Sequence, residues 1–281
     1  MKLSVVWATR NEEENIERSI MSVRSIADEM IVVDEYSTDK TREIAKEFGA
    51  KVYLEPHHDI FHVTKQKAID LAKGEWVLQM DADETITPEL AIEILKVVSG
   101  EQVIIKDSKK IKLFTRHQKL IEERDGMIGK PIGEVVAYFI PRVNIFLGRP
   151  LIHAGVYPDP AIRLFKRGKA YLPAKSVHEI MKIDGRVGWL EDDMLHYDSP
   201  TFKRYLSRLN RYTDLIAQEY EDQKIPKNLI SFINYAIIKP KLTFLSLYFR
   251  HKGFMDGVSG FLWSFFSASR FPIAYFKYLT T

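Results

Sequence analysis

The feature that most constrains the fold of this chain is a short apolar run that ends abruptly in acidic residues. Residues 76–80 read Trp-Val-Leu-Gln-Met and lead directly into Asp81, Ala82, Asp83 and Glu84. A run of this length, preceded by a Lys-Gly turn signal, predicts a buried strand whose C-terminal end carries carboxylates. In open α/β sheets, ligands bind at that edge. Because neighbouring carboxylates repel each other near a protein interior, we expect a divalent cation or strong hydrogen-bond donors beside them.

The same residues also fit a plainer interpretation, an acidic turn before a helix. Asp83 or Glu84 would then stabilise the free N–H groups of the first helical turn, and Pro88 would open the helix. Residues 81–88 alone leave both interpretations open.

A second apolar run ends in the same way. Residues 30–33 read Met-Ile-Val-Val and are followed by Asp34 and Glu35, and a third run, residues 3–8, ends at Thr9 and Arg10. The full order is strand, helix, strand, helix, short strand at 51–54, helix at about 63–72, strand. Such a βαβ series with right-handed crossovers makes a largely parallel sheet. Residues 1 to about 100 are therefore predicted to form a nucleotide-binding type of α/β half.

Composition sets the outer limits of the fold. With 281 residues, of which 46% are hydrophobic, the chain can bury a full core and is not a disordered protein. The absence of cysteine excludes disulfides, thiolate metal sites and a cysteine nucleophile. The apolar N-terminal run is a six-residue strand without a basic flank or a cleavage site, so we expect no signal peptide and a cytosolic active end.

Charge is distributed unevenly along the chain. The net charge is −8 over residues 1–100, +4 over residues 101–200 and +7 over residues 201–281. In a nucleic-acid-binding protein the basic residues surround the ligand site. Here the predicted site is acidic, so no nucleic-acid partner is expected. An acidic half joined to a basic tail fits a cation-requiring site at an anionic surface.

The tail from Phe232 onward combines many aromatic and aliphatic residues with regularly placed cations. No uncharged apolar stretch reaches the ~18 residues that a membrane-spanning helix requires. The longest, Phe254 to Ala268, contains Asp256. The pattern favours an amphipathic helix in the membrane interface. A helical pair packed on the domain, or on a second copy in a homo-oligomer, is the alternative.

Four short motifs follow the predicted strands and turns. They are Thr-Arg-Asn-Glu-Glu at 9–13, Asp-Glu-Tyr-Ser-Thr-Asp at 34–39, Lys-Gly-Glu at 73–75 and Asp-Ala-Asp-Glu at 81–84. Together they resemble the successive motifs of inverting nucleotide-sugar glycosyltransferases of the GT-A fold, glycosyltransferase family 2.

The rest of the chain is similar to one branch of that family, the lipopolysaccharide core β-glucosyltransferases. The segments that carry this similarity are residues 138–142, 146–148, 157–159, 163–165, 177–179, 195–197, 252–254 and 256–257. The similarity covers nearly the whole chain, and the main departure is a Lys- and Glu-rich stretch at about 101–133.

This resemblance implies an α/β fold of GT-A (Rossmann-like) type, with a mostly parallel central sheet flanked by helices. It implies a catalytic domain over residues 1–200, with a nucleotide-binding half at 1–100 and an acceptor half at 134–200. A helical, membrane-associating appendage would follow at 201–281. The implied reaction moves a hexose, with UDP-glucose favoured as donor, to a glycolipid or polysaccharide precursor such as a lipopolysaccharide core at the inner face of the membrane.

The resemblance also implies roles for single residues. A Mn²⁺ or Mg²⁺ ion bridging the diphosphate would stabilise the leaving group, with Asp83 as its expected ligand and Asp81 and His196 as further ligands. The nucleotide sugar would contact the residues at the strand ends and on the third helix, namely Thr9, Arg10, Glu12, Asp34, Lys65, Gln66, Asp81 and Ala82.

An inverting transfer needs a base that takes the proton of the acceptor hydroxyl as it attacks. Glu179 occupies the family position for that base, although a Glu paired with Arg163 or Lys182 is the structural alternative. Asp159 is the reserve candidate, and its flanking prolines also suit a plain turn.

Three other functions fit parts of the sequence. Residues 81–85 match the phosphatase pattern D-x-D-x-T, in which Asp81 would be the nucleophile, but that motif normally follows the first strand of its domain. A sugar nucleotidyltransferase would need a Gly-rich phosphate loop after strand one, and residues 8–14 contain no glycine. A non-catalytic scaffold of the same fold is the third alternative.

Overall fold

The computed structural model describes residues 1–173 and 180–280. The strands of these residues, numbered along the chain, are β1 (Leu3–Thr9), β2 (Glu29–Asp34), β3 (Lys51–Leu54), β4 (Trp76–Met80), β5 (Glu84–Ile86), β6 (Val135–Ile140), β7 (Arg142–Phe146), β8 (Arg149–Leu151), β9 (Ala161–Lys166), β10 (Ala170–Tyr171), β11 (Lys182–Ile183), β12 (Arg186–Trp189) and β13 (Met194–Ser199).

The helices follow the same chain order, and two π-helical turns, Asn234–Ile238 and Ser246–Arg250, flank α8. They are α1 (Ile16–Val23), α2 (Thr41–Glu47), α3 (His62–Leu71), α4 (Pro88–Ser99), α5 (Ser108–Asp125), α6 (Phe202–Asp222), α7 (Leu229–Ile233), α8 (Lys239–Leu245) and α9 (Gly257–Thr280).

The central sheet has the strand order β12-β6-β9-β4-β1-β2-β3. Strands β1 to β4 run parallel to their neighbours in this set, and β9 runs antiparallel between β4 and β6. The predicted α/β fold with a mostly parallel sheet is thus confirmed. Because Thr9 pairs with Asp34 and Trp7 pairs with Met80, the C-terminal ends of β1, β2 and β4 meet at one edge.

The inner strands of this sheet are covered on both faces, which explains why β1 and β4 are mostly apolar along their length rather than alternating. Every residue of β1 and β4 is buried. Trp7 is fully buried, and its indole N–H donates to the Ser19 hydroxyl on α1 over 2.8 Å. The sheet edge that carries the acidic residues therefore rests on a rigid core.

The N-terminus of helix α4 tests the interpretation that Asp83 or Glu84 stabilises its first turn. Pro88 does open the helix, as predicted, but the residue that caps it is Thr87, whose hydroxyl accepts from the Leu90 N–H over 3.2 Å. Asp83 and Glu84 are not the capping residues, so their carboxylates serve another purpose.

The segment that departs from the family pattern, residues 101–133, contains α5. Asp107 caps this helix by accepting from the Lys109 N–H over 2.7 Å. Its Phe114 is 1% exposed and stacks on Trp189, with 4.5 Å between the ring centroids. Hydrogen bonds add to this stacking, because Lys110 donates to the Glu191 carbonyl over 2.7 Å and the Trp189 indole N–H donates to the Gln118 side chain over 2.9 Å.

The chain divides into two compact units, one of Met1–Arg142 with Pro158–His196 and one of Val143–Tyr157 with Tyr197–Thr281. The second unit thus includes a stretch that lies inside the predicted catalytic domain of residues 1–200. The domain bounds drawn from the sequence stay a prediction.

Aromatic packing explains why Val143–Tyr157 groups with the C-terminal helices. Phe146 is 1% exposed, and its ring lies edge-on to Tyr205 of α6 and Trp263 of α9, at 4.9 and 5.5 Å between centroids. Asp256, the acid inside the longest apolar run, is buried and pairs with His153 over 2.7 Å. Within the described residues, none of the helices has the length and apolar character that a membrane span needs.

Candidate active site

Asp34 and Thr9 join the ends of β2 and β1. Asp34 is completely buried, and its carboxylate accepts from the Thr9 hydroxyl at 2.9 Å, the Ser37 hydroxyl at 2.5 Å and the Ser37 N–H at 2.7 Å. Both side chains therefore fix the strand ends in this structure and present no surface to solvent. Their predicted contact with a nucleotide stays a prediction.

Glu35, which the sequence analysis gave no role, is the second buried acid of this strand end. It is 2% exposed, accepts from the Thr64 hydroxyl, and lies 2.6 Å from His57 Nδ1. Arg10 contacts the same imidazole ring from the exposed side. Glu35 thus connects β2 to α3 and orients a histidine at the rim.

Two residues at this rim adopt left-handed backbone conformations. Asn11 has φ 55° and Tyr36 has φ 51°. The Asn11 N–H donates to the Ser37 hydroxyl over 2.8 Å, and its side-chain oxygen accepts from the Thr38 N–H over 2.8 Å. This cross-link holds Tyr36 in a strained conformation with its side chain largely exposed, a combination that often marks functional sites.

Glu12 and Gln66 already have protein partners. The Glu12 carboxylate accepts from the Asn15 side chain over 2.8 Å. Gln66 donates to Asp70 over 2.7 Å and accepts from the Leu172 N–H over 2.8 Å, which ties α3 to the chain before residue 173. Both hydrogen bonds of Gln66 give it a structural role here.

Asp81 lies between two cations. Lys65 Nζ is 2.5 Å from one carboxylate oxygen, and Arg163 Nη2 is 2.5 Å from the other. Burial opposes ionisation of Asp81, but Arg163 and Lys65 outweigh it and hold the pKa of this carboxyl well below its usual range. Both oxygens of Asp81 are therefore occupied by cations, and the neighbouring Ala82 is buried.

Glu84 connects the acidic turn to two arginines. It is completely buried, and one oxygen accepts from Arg142 at 2.8 Å and from Arg163 at 2.6 Å. The other oxygen accepts from the Asp81 N–H over 2.9 Å, which closes the turn. The sequence analysis expected either a divalent cation or strong hydrogen-bond donors beside the clustered carboxylates. Asp81 and Glu84 are stabilised by strong donors.

Asp83 has a different partner. Its Oδ2 lies 3.6 Å from His196 Nε2, and the two side chains are each 15% exposed. His196 reaches this place because β13 pairs antiparallel with β5, with His196 opposite Glu84. Burial lowers the pKa of His196, but the bond to Asp83 and its charge raise it above the usual value.

The Asp83 and His196 pair fits a divalent cation. A carboxylate suits Mg²⁺ and Mn²⁺, and imidazole is a common ligand of transition metals. Among the described residues no group of three His, Asp or Glu side chains is arranged to hold a metal. Mg²⁺ is usually bound through one or two carboxylates together with substrate phosphates and water.

The predicted base Glu179 lies outside the described residues. The reserve candidate, Asp159, pairs with Arg142 over 2.8 Å, and its backbone carbonyl accepts from the same guanidinium over 3.0 Å. The alternative partner proposed for Glu179, Arg163, is engaged by Asp81 and Glu84.

Sequence reasoning gave no role to Arg142 in this network and saw Arg163 only as a partner of Glu179. A signal for Arg163 was present, because it stands inside the apolar run Ala-Ile-Arg-Leu-Phe of β9, where a buried cation needs an acidic partner. Nothing in the sequence indicated which acids those partners would be.

A cavity of about 830 Å³ lies elsewhere, beside Lys2, Trp76 and Gly100. Lys2 precedes β1 and Trp76 begins β4, so this cavity borders the N-terminal edge of the parallel strands. Ligands of open α/β sheets bind at the opposite edge. We therefore assign the active site to the acidic edge.

Comparison with known proteins shows which proteins this chain resembles. Residues 4–131 match the model of the family "Glycosyl transferase family 2". An uncharacterized glycosyltransferase of Rickettsia bellii is 41% identical over 117 residues, which are 42% of this chain and only 40% of that protein. An uncharacterized glycosyltransferase of Rickettsia typhi is 27% identical over 96% of this chain and 84% of its own length.

Two further similarities extend beyond the family model. The lipopolysaccharide core biosynthesis glycosyltransferase LpsC of Rhizobium meliloti is 25% identical over 96% of this chain and 92% of its own. Among solved structures, glucosyl-3-phosphoglycerate synthase of Mycobacterium tuberculosis aligns over 81% of each chain with 18% identity and a TM-score of 0.45. The chain is thus similar to glycosyltransferases along nearly its whole length, and residues 4–131, which contain Asp34, Asp81 and Asp83, match the model of glycosyl transferase family 2.

Proposed function

We propose that this protein is a metal-dependent, inverting glycosyltransferase that moves a hexose from a nucleotide-diphosphate sugar to a glycolipid or polysaccharide precursor. The observation that carries the proposal is the Asp83 and His196 pair at the C-terminal edge of the sheet, 3.6 Å apart and partly open to solvent. The family match over residues 4–131 supports the reaction class.

The donor and acceptor follow from similarity. UDP-glucose is the favoured donor, and a lipopolysaccharide core is the favoured acceptor, because the chain aligns over 96% of its length with a glycosyltransferase of lipopolysaccharide core biosynthesis. Arg10 and Glu12 would lie against the nucleoside beyond the end of β1, and the buried hydrogen bond between Thr9 and Asp34 would hold the ends of β1 and β2 behind it.

Asp83 and His196 would hold Mn²⁺ or Mg²⁺, and when bound the ion supplies Lewis-acid stabilisation of the leaving diphosphate. Lys65 contributes a cation that is 14% exposed and fixed by Asp81 at the same edge. Arg163 and Glu84 keep the Asp81 turn in place, so that Asp83 is directed toward His196. The charges at this edge are thus positioned before substrate binds, which is the arrangement that stabilises a developing negative charge most effectively.

Glu179 remains our proposed base. The acceptor hydroxyl becomes acidic only as the new bond forms, so an ordinary carboxylate within hydrogen-bond reach suffices. Asp159 is a weaker candidate because its carboxylate already binds Arg142.

The phosphatase alternative requires Asp81 to attack phosphorus. Both Asp81 oxygens are ion-paired with Lys65 and Arg163, and the motif follows the fourth strand rather than the first. These contacts favour the transferase over the phosphatase.

We also propose that the second unit binds an anionic membrane surface and places the enzyme at the inner face of the cell membrane. Four of its apolar side chains are 60 to 79% exposed, namely Leu229, Ile230, Leu242 and Val258. The exposed cation Lys241 lies beside Leu242 on α8, and the exposed Arg250 ends the π-helical turn that follows. Apolar and cationic side chains together are typical of interfacial helices, and a lipid-linked acceptor would be reached there.

The test of the reaction class is calorimetric titration of the full chain with UDP, GDP and p-nitrophenyl phosphate, each with and without Mn²⁺. We expect binding of UDP that depends on Mn²⁺. Binding of GDP instead would change the donor but keep the transferase. Turnover of p-nitrophenyl phosphate without nucleotide binding would contradict the proposal and support the phosphatase.

A further inference from the structure

A second cavity, of about 300 Å³, lies within the first unit and is lined by cations. Its polar lining consists of His62, Lys65, Gln79, Arg124, Arg142 and Arg163, and the other lining residues are apolar. The described part of the lining includes no Asp or Glu. Ligand pockets span ~300–1,000 Å³, so the volume suits one substituted sugar rather than an oligosaccharide.

Arg163 points to an anionic ligand. Its side chain is 8% exposed, and its Nη atoms bind Gln79, Asp81 and Glu84. Its Nε, however, is buried and has no hydrogen-bond partner among the described residues. A buried N–H of a charged group without a partner is costly, and an oxyanion in the cavity could accept from it.

Arg124 is the most available cation of the lining. Its side chain is 71% exposed, and its ion pair is with the adjacent residue, Asp125, at 2.6 Å. Exposed ion pairs contribute little free energy, so Arg124 can exchange this partner for a ligand at small cost. A planar guanidinium matches phosphate and carboxylate groups with two parallel hydrogen bonds.

The cavity shares one lining residue, Lys65 of α3, with the predicted nucleotide site, and otherwise lies to one side of it. Thr9 and Asp34, which are predicted to contact the nucleoside, end β1 and β2. The cavity is lined by β9, β6 and α5, and both strands lie on the other side of β4. Both strands, and Ile180, which also lines the cavity, belong to the predicted acceptor half at residues 134–200. The lining therefore belongs to the side from which an acceptor would approach.

We propose that this cavity binds an anionic substituent, a phosphate or a carboxylate, of the acceptor sugar. The inference rests on the proposed function, because it assigns a substrate class to the same active site. It also gives α5 a role, since Ile121 and Arg124 bring the segment that departs from the family pattern into the acceptor site. The enzyme would thus select acceptors that already carry a negative charge near the attacking hydroxyl.

The experiment titrates the full chain, saturated with UDP and Mn²⁺, with glucose 6-phosphate, glucuronate and glucose. We expect at least one anionic sugar to bind about tenfold or more tightly than glucose, as one charge-assisted contact would give. The stronger of the two anionic sugars identifies phosphate or carboxylate as the substituent.

Arg124→Gln should weaken binding of the anionic sugar by about tenfold, since it removes one such contact, and leave UDP affinity unchanged. The matched control is Lys119→Gln, which removes a 77% exposed cation of the same helix that does not line the cavity. We expect this control to bind the anionic sugar as the parent protein does.

Three results would overturn the inference while leaving the proposed function intact. These are equal binding of glucose and both anionic sugars, an unchanged affinity in Arg124→Gln, and binding of the anionic sugar only when UDP is left out, which would assign the cavity to the donor diphosphate. Failure of UDP to bind at all would instead contradict the proposed function.

Discussion

Asp83 is the residue whose replacement tests the metal site most directly. Asp83→Asn keeps the shape of the side chain but removes the charge that would hold Mn²⁺ with His196, 3.6 Å away. We expect the Mn²⁺-dependent part of UDP binding to weaken by at least tenfold, measured by calorimetry with and without the ion. One lost charge-assisted contact, worth ~1.5–3 kcal/mol, accounts for a change of this size.

The control for this variant is Asp184→Asn, which removes an exposed carboxylate that pairs only with Lys130 and Lys169 among the described residues. Its Mn²⁺-dependent UDP affinity should equal that of the parent. If Asp83→Asn retained the full effect of Mn²⁺, the metal role of Asp83 would be wrong.

Tyr36 tests whether backbone strain at the rim serves ligand binding. Left-handed backbone costs an L-residue ~1–2 kcal/mol relative to glycine, and Tyr36 has φ 51° with 57% of its surface exposed. The free energy of unfolding in urea should therefore be about 1 kcal/mol higher for Tyr36→Gly than for Tyr36→Ala, which keeps the strain.

The same two variants also test whether Tyr36 contacts the ligand. If the ring stacks on the nucleoside base, both variants should bind UDP several-fold more weakly than the parent. Equal UDP affinity in all three proteins would remove Tyr36 from the site.

At this scale the sequence predicted the acids but not their partners. The carboxylates at 34, 81 and 83 follow apolar runs and were found at one sheet edge, as strand geometry requires. Arg142 and Arg163 are about 60 and 80 residues away along the chain, and only the tertiary fold brings them to Glu84. Local patterns carry no information on such contacts.

Among the elements, α4 contributes a buried acid with a testable titration. Glu93 is 6% exposed and accepts from the N–H groups of Glu191 and Asp192 at 2.8 to 3.0 Å. Burial raises the pKa of Glu93 despite these bonds. The folded protein therefore retains this proton at pH values where the unfolded chain, with a pKa near 4.5, has lost it.

A raised folded-state pKa stabilises the folded protein most at low pH, and this stabilisation is lost as pH rises from about 4.5 through the folded pKa. Glu93→Gln does not titrate. The measurement is the free energy of unfolding of the parent and of the variant, by urea unfolding at successive pH values. The parent's value minus the variant's should fall as pH rises through that window and stay constant above it. A difference that does not change with pH would contradict the raised pKa.

The sequence also predicted most elements of the nucleotide-binding half, because each is a short, strongly patterned segment. The strand predicted at 51–54 is β3, and the helix predicted at about 63–72 is α3, His62–Leu71. Which strands pair with each other was harder to predict from the sequence. No pattern in the sequence indicated that β9 would lie antiparallel between β4 and β6, since a strand's residues show which of its faces are buried but not which strand will be its neighbour.

At the scale of the whole molecule, the two units differ in charge. The first unit carries the acidic sheet edge, and the second unit is basic and exposes apolar side chains. Four side chains of the second unit, from Leu229 to Val258, are 60 to 79% exposed. Isolated exposed apolar residues are ordinary, but a concentration of them indicates a partner. Because cations accompany them, we expect that partner to be anionic lipid rather than a second copy of the chain.

Replacement of Ile230 and Val258 by Asp should test this expectation without disturbing the fold, because the two side chains are 79 and 74% exposed. The variant should sediment with vesicles of phosphatidylglycerol at least tenfold less than the parent, since it loses apolar burial and gains two repelled charges. Ile104→Asp with Ile132→Asp is the matched control, because it makes the same kind of change at two exposed positions of the first unit, 72 and 84% exposed, and should sediment like the parent. Parent protein that ignores the vesicles but self-associates with rising concentration would show that the exposed surface binds a second copy, and the membrane proposal would be wrong.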